Sequence, residues 1–508
     1  MRQLTFLFII GILVSISSCR TDFETVASTG DLEFSRDTIY LDTVFTNIGS
    51  STYTLKVYNK SKNDITIPTI KLGKGLSSKY RMTVDGMPGN QGKAFENVNL
   101  LAKDSMYIFV ETTANIADAN PTDFLYTDQI LFDGGNNLQK VELVTLIQDA
   151  VFLYPKKFAD GTTETLPIGD EEIYGFFLDA NDPVNGNEFI FTDQKPYVIY
   201  GYAAVPSGKT VTFEAGARIH FHANSGLIVA ANASLNVNGA KSTTDKFENE
   251  VVFEGDRLEP DFADVPGQWG TILLTDGSTN HKINHLTIKN ATIGLLIQNN
   301  NGTTVSIKNS QIYDSTNYGI LAQTAKISGE NLVINNAGLA SLKCEYGGDY
   351  KFTHCTFNNN WPSSSQFAVS LNNFYLGAVP EVKNLVAATF NNCIIYGSYS
   401  NELNLSKKAG ATFEYQFNNC LIKFDNTSNQ YSSDPLYQFT TDPTHYNAII
   451  QNKDPKFLKV SENKLNVDET SAAFAKGNAT YLVPLDILGN TRTLPPDLGA
   501  YQNKPFPK

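Results

Sequence analysis

The sequence predicts an all-β protein in two parts, a sandwich of short strands followed by a long solenoid of stacked coils. Three observations carry this expectation. Between residues 31 and 150, short strand-like runs recur between turn signals. From about Val205 to Phe424 short strands come roughly three to a coil, with Gly or Asn near the corners. Within that region a small frame repeats, apolar at both ends with polar or small residues between. The 508 residues suffice for two or three domains, each able to bury its own core.

In the first part the expected strands are Thr38 to Phe45, Tyr53 to Tyr58, Ile65 to Leu72, Tyr80 to Val84, Met106 to Glu111, Gln129 to Phe132 and Val141 to Gln148. Seven short strands at this spacing predict a sandwich over residues 31–150. A period of two turns Leu55 and Val57 inward and Lys56 and Tyr58 outward. Asp85-Gly86 and Asp133-Gly134 mark two of the turns.

The second part, over residues 165–455, is defined by the frame. Its copies are Ile288-Lys289-Asn290-Ala291-Thr292-Ile293, Ile307-Lys308-Asn309-Ser310-Gln311-Ile312, Asn331 to Ile334, Phe352 to Phe357, Phe390 to Ile395 and Phe417 to Ile422. The closing apolar positions 293, 312, 334, 357, 395 and 422 are spaced by 19, 22, 23, 38 and 27 residues. Three steps near one coil length, then longer ones, predict a β-solenoid with late loop insertions. One coil cannot bury its own apolar residues, and stacking buries them against the next; about ten coils at the strand spacing make a rod roughly 50 Å long. Cys355, Cys393 and Cys420 share one frame position and read as a stack of buried small hydrophobes, with a disulfide between coils as the alternative. Residues 456–508 follow the last copy of the frame as a separate C-terminal segment, the cap segment by the resemblance given below.

Met1 to Cys19 reads as a secretory signal, with Arg2, then an apolar run from Leu4 to Ile16, then small residues before a cysteine. The run is short of the ~20 residues that cross a bilayer. The formal net charge is -13 with no Lys/Arg-rich run, which argues against nucleic acid as a partner.

Several segments resemble known families. Ile16-Ser17-Ser18-Cys19 resembles a bacterial lipobox, which implies a signal over residues 1–18, lipidation at Cys19, a tether over 19–30 and attachment to a membrane. Arg20-Thr21-Asp22-Phe23-Glu24 looks like the tails that send Bacteroidetes-type lipoproteins to the cell surface, on the outer membrane. Asp42 to Ser51 with Tyr53 to Asn59 is similar to the immunoglobulin-like domain that precedes β-helices in such lipoproteins, which implies a spacer or docking module. Asp454-Pro455-Lys456-Phe457, Asp486 to Arg492 and Pro496 to Tyr501 resemble the ending of right-handed parallel β-helix proteins, where it is a structural cap.

Such a fold hosts enzymes, adhesins and spacers, so function is argued from a site. Glycoside hydrolysis usually takes two placed carboxylates. The Asp-Asp pair and Ser-His-Gly element of polygalacturonase-like enzymes are both missing. Asp179 to Glu188 carries oxygen ligands without EF-hand spacing, because Pro183 takes the fifth place, and reads as an Asx-rich turn. Arg218, His220 and His222 fall on one outer strand face, where the two histidines are read as solvated before they are read as a metal pair or a base. His281 and His285 stand in turn and strand surroundings, and His354 and His445 stand alone. Trp269 is read as packing its coil.

No catalytic motif is recognisable, so catalytic residues stay open, and no metal or cofactor is expected. The candidate ligand-binding residues are Trp361, Phe374 and Tyr375, aromatics in the longest insertion. The expected function is a cell-surface lipoprotein that binds a carbohydrate or other surface polymer through its β-helix. A polysaccharide lyase or glycoside hydrolase on the same fold, and a structural spacer, are the alternatives.

Overall fold

A computed structural model describes residues 24–169, 171–363, 365–377 and 379–506. Cys19 and the signal lie outside the described residues. The chain divides between Asp149 and Ala150 into two compact units.

In the first unit two sheets share one core. One holds Val26–Ala27, Ile65–Leu72, Ala94–Leu100, Leu125–Phe132, Gln139–Gln148 and Thr38–Phe45; the other holds Leu32–Phe34, Tyr53–Asn59, Ser105–Thr112 and Tyr80–Val84. Ile39, Ile67, Ile70, Phe132 and Leu143 of the first sheet meet Leu55, Val57, Ile108 and Val110 of the second. Ten strands are present where the sequence predicts seven. Of the added strands, Ala94–Leu100 is masked by its own backbone. Asn97 adopts φ +52, so Phe95 and Val98, three apart, both turn inward and break the period of two.

The second unit is a solenoid of three sheets, each visited once per coil and paired in parallel, apart from an antiparallel hairpin of Thr165–Ile168 with Glu171–Phe177 at the start of one of them. Face 1 runs from Val151–Leu153 through eleven strands to Ile450–Gln451. Face 2 runs from Thr165–Ile168 to Leu403–Ser406, and face 3 from Ile190–Phe191 to Tyr446–Asn447, with ten strands each. Inward side chains stack along the interior in register. Phe352, Phe390 and Phe417 form one such column, with ring centroids 5.2 and 4.9 Å apart. The parallel pairing begins at Val151, ahead of the frame repeats.

The frame is the corner between face 3 and face 1. His285, Asn309, Asn331, His354, Asn392 and Asn419 all sit there with φ between +48 and +53. Asn tolerates this left-handed backbone because its short amide bonds locally. Asn331 Nδ2 donates to Asn309 Oδ1 at 2.9 Å, and Asn309 Nδ2 to Asn284 Oδ1 at 3.0 Å, so the corners are laced coil to coil. The next residue turns into the core, and there the chain places Leu286, Ser310, Leu332, Cys355, Cys393 and Cys420, all buried.

This geometry corrects the frame at its first copy. Ile312, Ile334, Phe357, Ile395 and Ile422 are register mates on face 1, but their partner in the preceding coil is Ile288. Ile293 belongs to face 2, opposite Tyr318. The true first copy runs from Ile283 to Ile288, with His285 in the Asn place and Leu286 in the small one.

The tail after residue 456 lies along the outside of face 1. Leu465, Ile487, Ala500 and Tyr501 cover Tyr313 and Val333, and Ala473 and Leu498 cover Ile394 and Leu421. Face 1 is thereby buried on both sides, and its strand Gln311–Ser315 is buried at every position. Arg492 pins the tail: its guanidinium donates to Asn331 Oδ1 at 2.9 Å and to the carbonyls of Gly499 and Ala500 at 3.0 Å.

Candidate functional site

A depression of about 350 Å³ opens where the last coils of the solenoid leave face 1. Tyr396, Ser398, Ser400, Lys423, Asp425 and Asn452 line it. Tyr396 and Lys423 project from the ends of neighbouring strands, with the Lys423 ammonium 5.0 Å from the Tyr396 ring centre and 2.6 Å from the Gly397 carbonyl it donates to. Phe457 of the tail meets the Tyr396 ring edge-on at 6.4 Å. Asn452 is held by paired bonds with the Phe424 backbone. The result is a half-open hollow offering one aromatic face, one ammonium, one carboxylate, hydroxyls and an amide.

Glu402 lies behind this hollow, fully buried. Its Oε1 accepts from the Tyr399 amide at 2.7 Å and from Gln366 Nε2 at 3.2 Å, while Oε2 has no partner. Burial pushes its carboxyl up to about 7. Glu402 fixes the corner that carries Ser398 to Ser400.

The expected aromatics do not form one platform. Trp361 sits between face 1 and face 2, before strand Phe367–Asn372, and its carbonyl accepts from Ser398 Oγ at 3.0 Å, next to the hollow. Phe374 and Tyr375 sit beyond the other end of that strand, in a hairpin of Phe374–Leu376 with Pro380–Val382. Six extended residues separate the two places by roughly 20 Å. Tyr375 instead neighbours Tyr346, and Lys408 lies over Phe374.

The histidines fall into distinct roles. His220 is on the outer side of its strand as alternation requires, but it is buried, not solvated, with Nδ1 3.2 Å from the Gly255 carbonyl. Register sets it beside Glu254, itself beside Lys289, with 3.8 Å between the nearest polar atoms of each pair. His222 is half-exposed; Nδ1 is 2.7 Å from Asp256 Oδ2 and its ring stacks on Tyr200 at 4.3 Å. The bond to Asp256 raises its pKa. An imidazole oriented by a carboxylate is one half of an acid–base pair. Burial lowers His281 to about 4 and His354 to about 3, so both are neutral packing groups. Trp269 is buried, stacks on Phe221 at 4.4 Å and donates to the Lys289 carbonyl.

In the segment from Asp179 to Glu188 the carboxylates accept from their own backbone. Asp182 Oδ1 takes the amides of Val184 and Asn185 at 2.9 Å, and Glu188 takes that of Asp179 at 3.0 Å. Among the described residues no group of three or more His, Cys, Asp or Glu is placed to hold a metal ion.

No protein-family model matches the chain, and no curated protein matches it. Among solved structures, the E. coli chaperone DraB is 15% identical over 24% of this chain and 57% of its own, with a TM-score of 0.16. A family 123 glycoside hydrolase from Clostridium perfringens is 10% identical over 23% of this chain and 25% of its own, with a TM-score of 0.17. The ASH/PapD-like domain of human CEP192 is 12% identical over 24% of this chain and 87% of its own, with a TM-score of 0.15. At these scores the likenesses carry no inference about fold or function.

Two features of the site escape a reading of the sequence. Tyr396 and Lys423 lie a whole coil apart in the chain and meet only through the register of Ile394 on Leu421. His222 and Asp256 are likewise brought together by the pairing of Phe221 with Gly255. For Tyr396 and Lys423 the signal that could have found them is the frame itself, extended one residue past its closing apolar position; His222 and Asp256 lie in coils before its first copy, where the frame gives no signal.

Proposed function

We propose that this protein is an exported, lipid-anchored surface protein of the Bacteroidetes type that binds a carbohydrate or related surface polymer on its solenoid. In this reading the first unit is an immunoglobulin-like spacer, the second a right-handed parallel β-helix, and Cys19 the anchor. The hollow around Tyr396 is the observation that carries the binding claim. An aromatic face receives the C–H side of a sugar ring, while Ser398, Ser400, Asn452 and Asp425 supply hydroxyl, amide and carboxylate partners. Glu402 and the paired bonds of Asn452 with Phe424 keep the hollow in place, so little ordering is lost on binding.

Native electrophoresis through gels containing a panel of polysaccharides tests this. Retardation by at least one polymer, weakened on Tyr396→Ala or Lys423→Ala, is the expected result. No retardation on any of the panel would leave the spacer reading in its place. The anchor is tested separately, since Cys19→Ser should release the protein from the membrane fraction. The His222–Asp256 pair favours a second reading, a polysaccharide-degrading enzyme. New reducing ends or unsaturated uronates in the same incubations, lost on His222→Ala, would establish it.

A further inference from the structure

The outward face of the four-stranded sheet in the first unit departs from the usual pattern for a solvated sheet. Such a face is normally polar, alternating with the inward apolar residues. Here Tyr107 is 47% and Phe109 39% exposed at the middle of the sheet, in strand Ser105–Thr112. Their ring centroids are 6.3 Å apart and their planes differ by 22°, so they form one exposed strip of nearly parallel rings. Register puts Lys56 beside Tyr107, and Thr54 and Thr83 on either side of Phe109. The Lys56 ammonium stands 5.2 Å from the Tyr107 ring centre and 5.3 Å from that of Tyr58, which extends the strip diagonally.

The charges around the strip are unevenly used. At one end Arg81 and Glu111 satisfy each other at 2.7 Å, with Thr52 also bonded to Glu111. At the other end Lys60 is 3.8 Å from Glu33. Lys56, in the middle, makes no ion pair among the described residues and leans only on aromatic rings. A strip of exposed aromatic rings, bordered by threonine hydroxyls and centred on an ammonium without a carboxylate partner among the described residues, is complementary to a chain of sugar rings bearing carboxylates.

We propose that this sheet face is a second glycan-binding site, separate from the hollow on the solenoid, and that its ligand is an acidic, uronate-bearing polysaccharide. The sugar rings lie on Tyr107 and Phe109, and a uronate carboxylate pairs with Lys56. Stacking on rings already rigid within a strand costs little side-chain entropy. The chain's net charge of -13 does not oppose this contact strongly, because exposed charges more than about 8 Å away are screened at physiological salt. The inference does not depend on the solenoid reading and would survive its failure.

The test uses the full chain and polygalacturonate as the acidic probe, with neutral dextran beside it, in affinity electrophoresis and titration calorimetry. Polygalacturonate binding is expected, weakened about tenfold or more by Tyr107→Ala and by Lys56→Gln, and reduced by added salt. Tyr40→Ala, an exposed aromatic on the other sheet of the same unit, should leave it unaltered. Lys56→Gln leaves the buried core untouched, and an unchanged thermal melt separates its loss of binding from misfolding. Absence of polygalacturonate binding by the folded protein, or binding unchanged in both variants, would overturn the proposal. So would a concentration-dependent dimer abolished by Phe109→Ala, since that would make a second copy of the chain the occupant of the face.

Discussion

Phe390→Ala tests whether the solenoid is held together coil by coil. The Phe390 side chain is fully buried in the interior column, with ring centroids 5.2 Å from Phe352, 4.9 Å from Phe417 and 5.9 Å from Phe357. Replacing a buried Phe by Ala costs about 3–5 kcal/mol in transfer and cavity terms. Three aromatic partners on the coils before and after place this site at the upper end of that range, because each contributes beyond its buried area. In a stack of nearest-neighbour units the loss should stay local. Native-state hydrogen exchange reads this directly. Amides of Leu385–Asn391 and Gln416–Asn418 should lose on the order of 3–5 kcal/mol of protection, while those of Thr210–Glu214 keep theirs. Phe390→Leu, closer in volume, should cost under about 1.5 kcal/mol. Loss of less than about 1 kcal/mol for the Ala variant, or an equal loss along the whole solenoid, would refute the reasoning.

Three further outcomes follow from the geometry. Cys344, Cys355, Cys393 and Cys420 are buried and unpaired, and burial pushes the first three thiols up, so all four should resist a thiol reagent until the protein is unfolded; rapid labelling of the native protein would contradict this. Glu402 binds its proton more tightly in the folded state, with a pKa moved from 4.5 to about 7, so its stabilising contribution is present below about 4.5 and is lost as pH rises through about 7. Glu402→Gln should remove that loss, a difference on the order of 3 kcal/mol at most between urea melts near pH 5 and pH 8. Asp256 holds the His222 pKa up, so Asp256→Asn should lower it in an NMR titration, and an unmoved value would show that the 2.7 Å bond does not govern that imidazole.

Much of the fold was legible because its rules are short-range. The period of two in Tyr53–Asn59 places Leu55 and Val57 inside without any knowledge of their partners. The repeated Asn is legible for a similar reason, since each corner takes one residue at positive φ, most often Asn, followed by one buried in the interior. Where His285 and Leu286 fill those places the pattern disappears from the sequence, although the corner does not. The course of the tail along face 1 depends on contacts such as Tyr501 with Tyr313 that no local pattern encodes. The candidate site was the least legible part. Trp361 lies beside the hollow, whereas Phe374 and Tyr375 shared its insertion in sequence and not its place on the solenoid. A surface on stacked coils is assembled from residues about one coil apart, and their meeting depends on register, which loop insertions shift.

Hydrogen exchange of the full chain, with and without a polysaccharide that retards it, tests the account most directly. Added protection at Ile394–Gly397 and the residues through Ser400, together with Leu421 to Asp425 and Asn452, is the result the account predicts. Protection confined to other parts of the solenoid, with these segments unchanged, would contradict it.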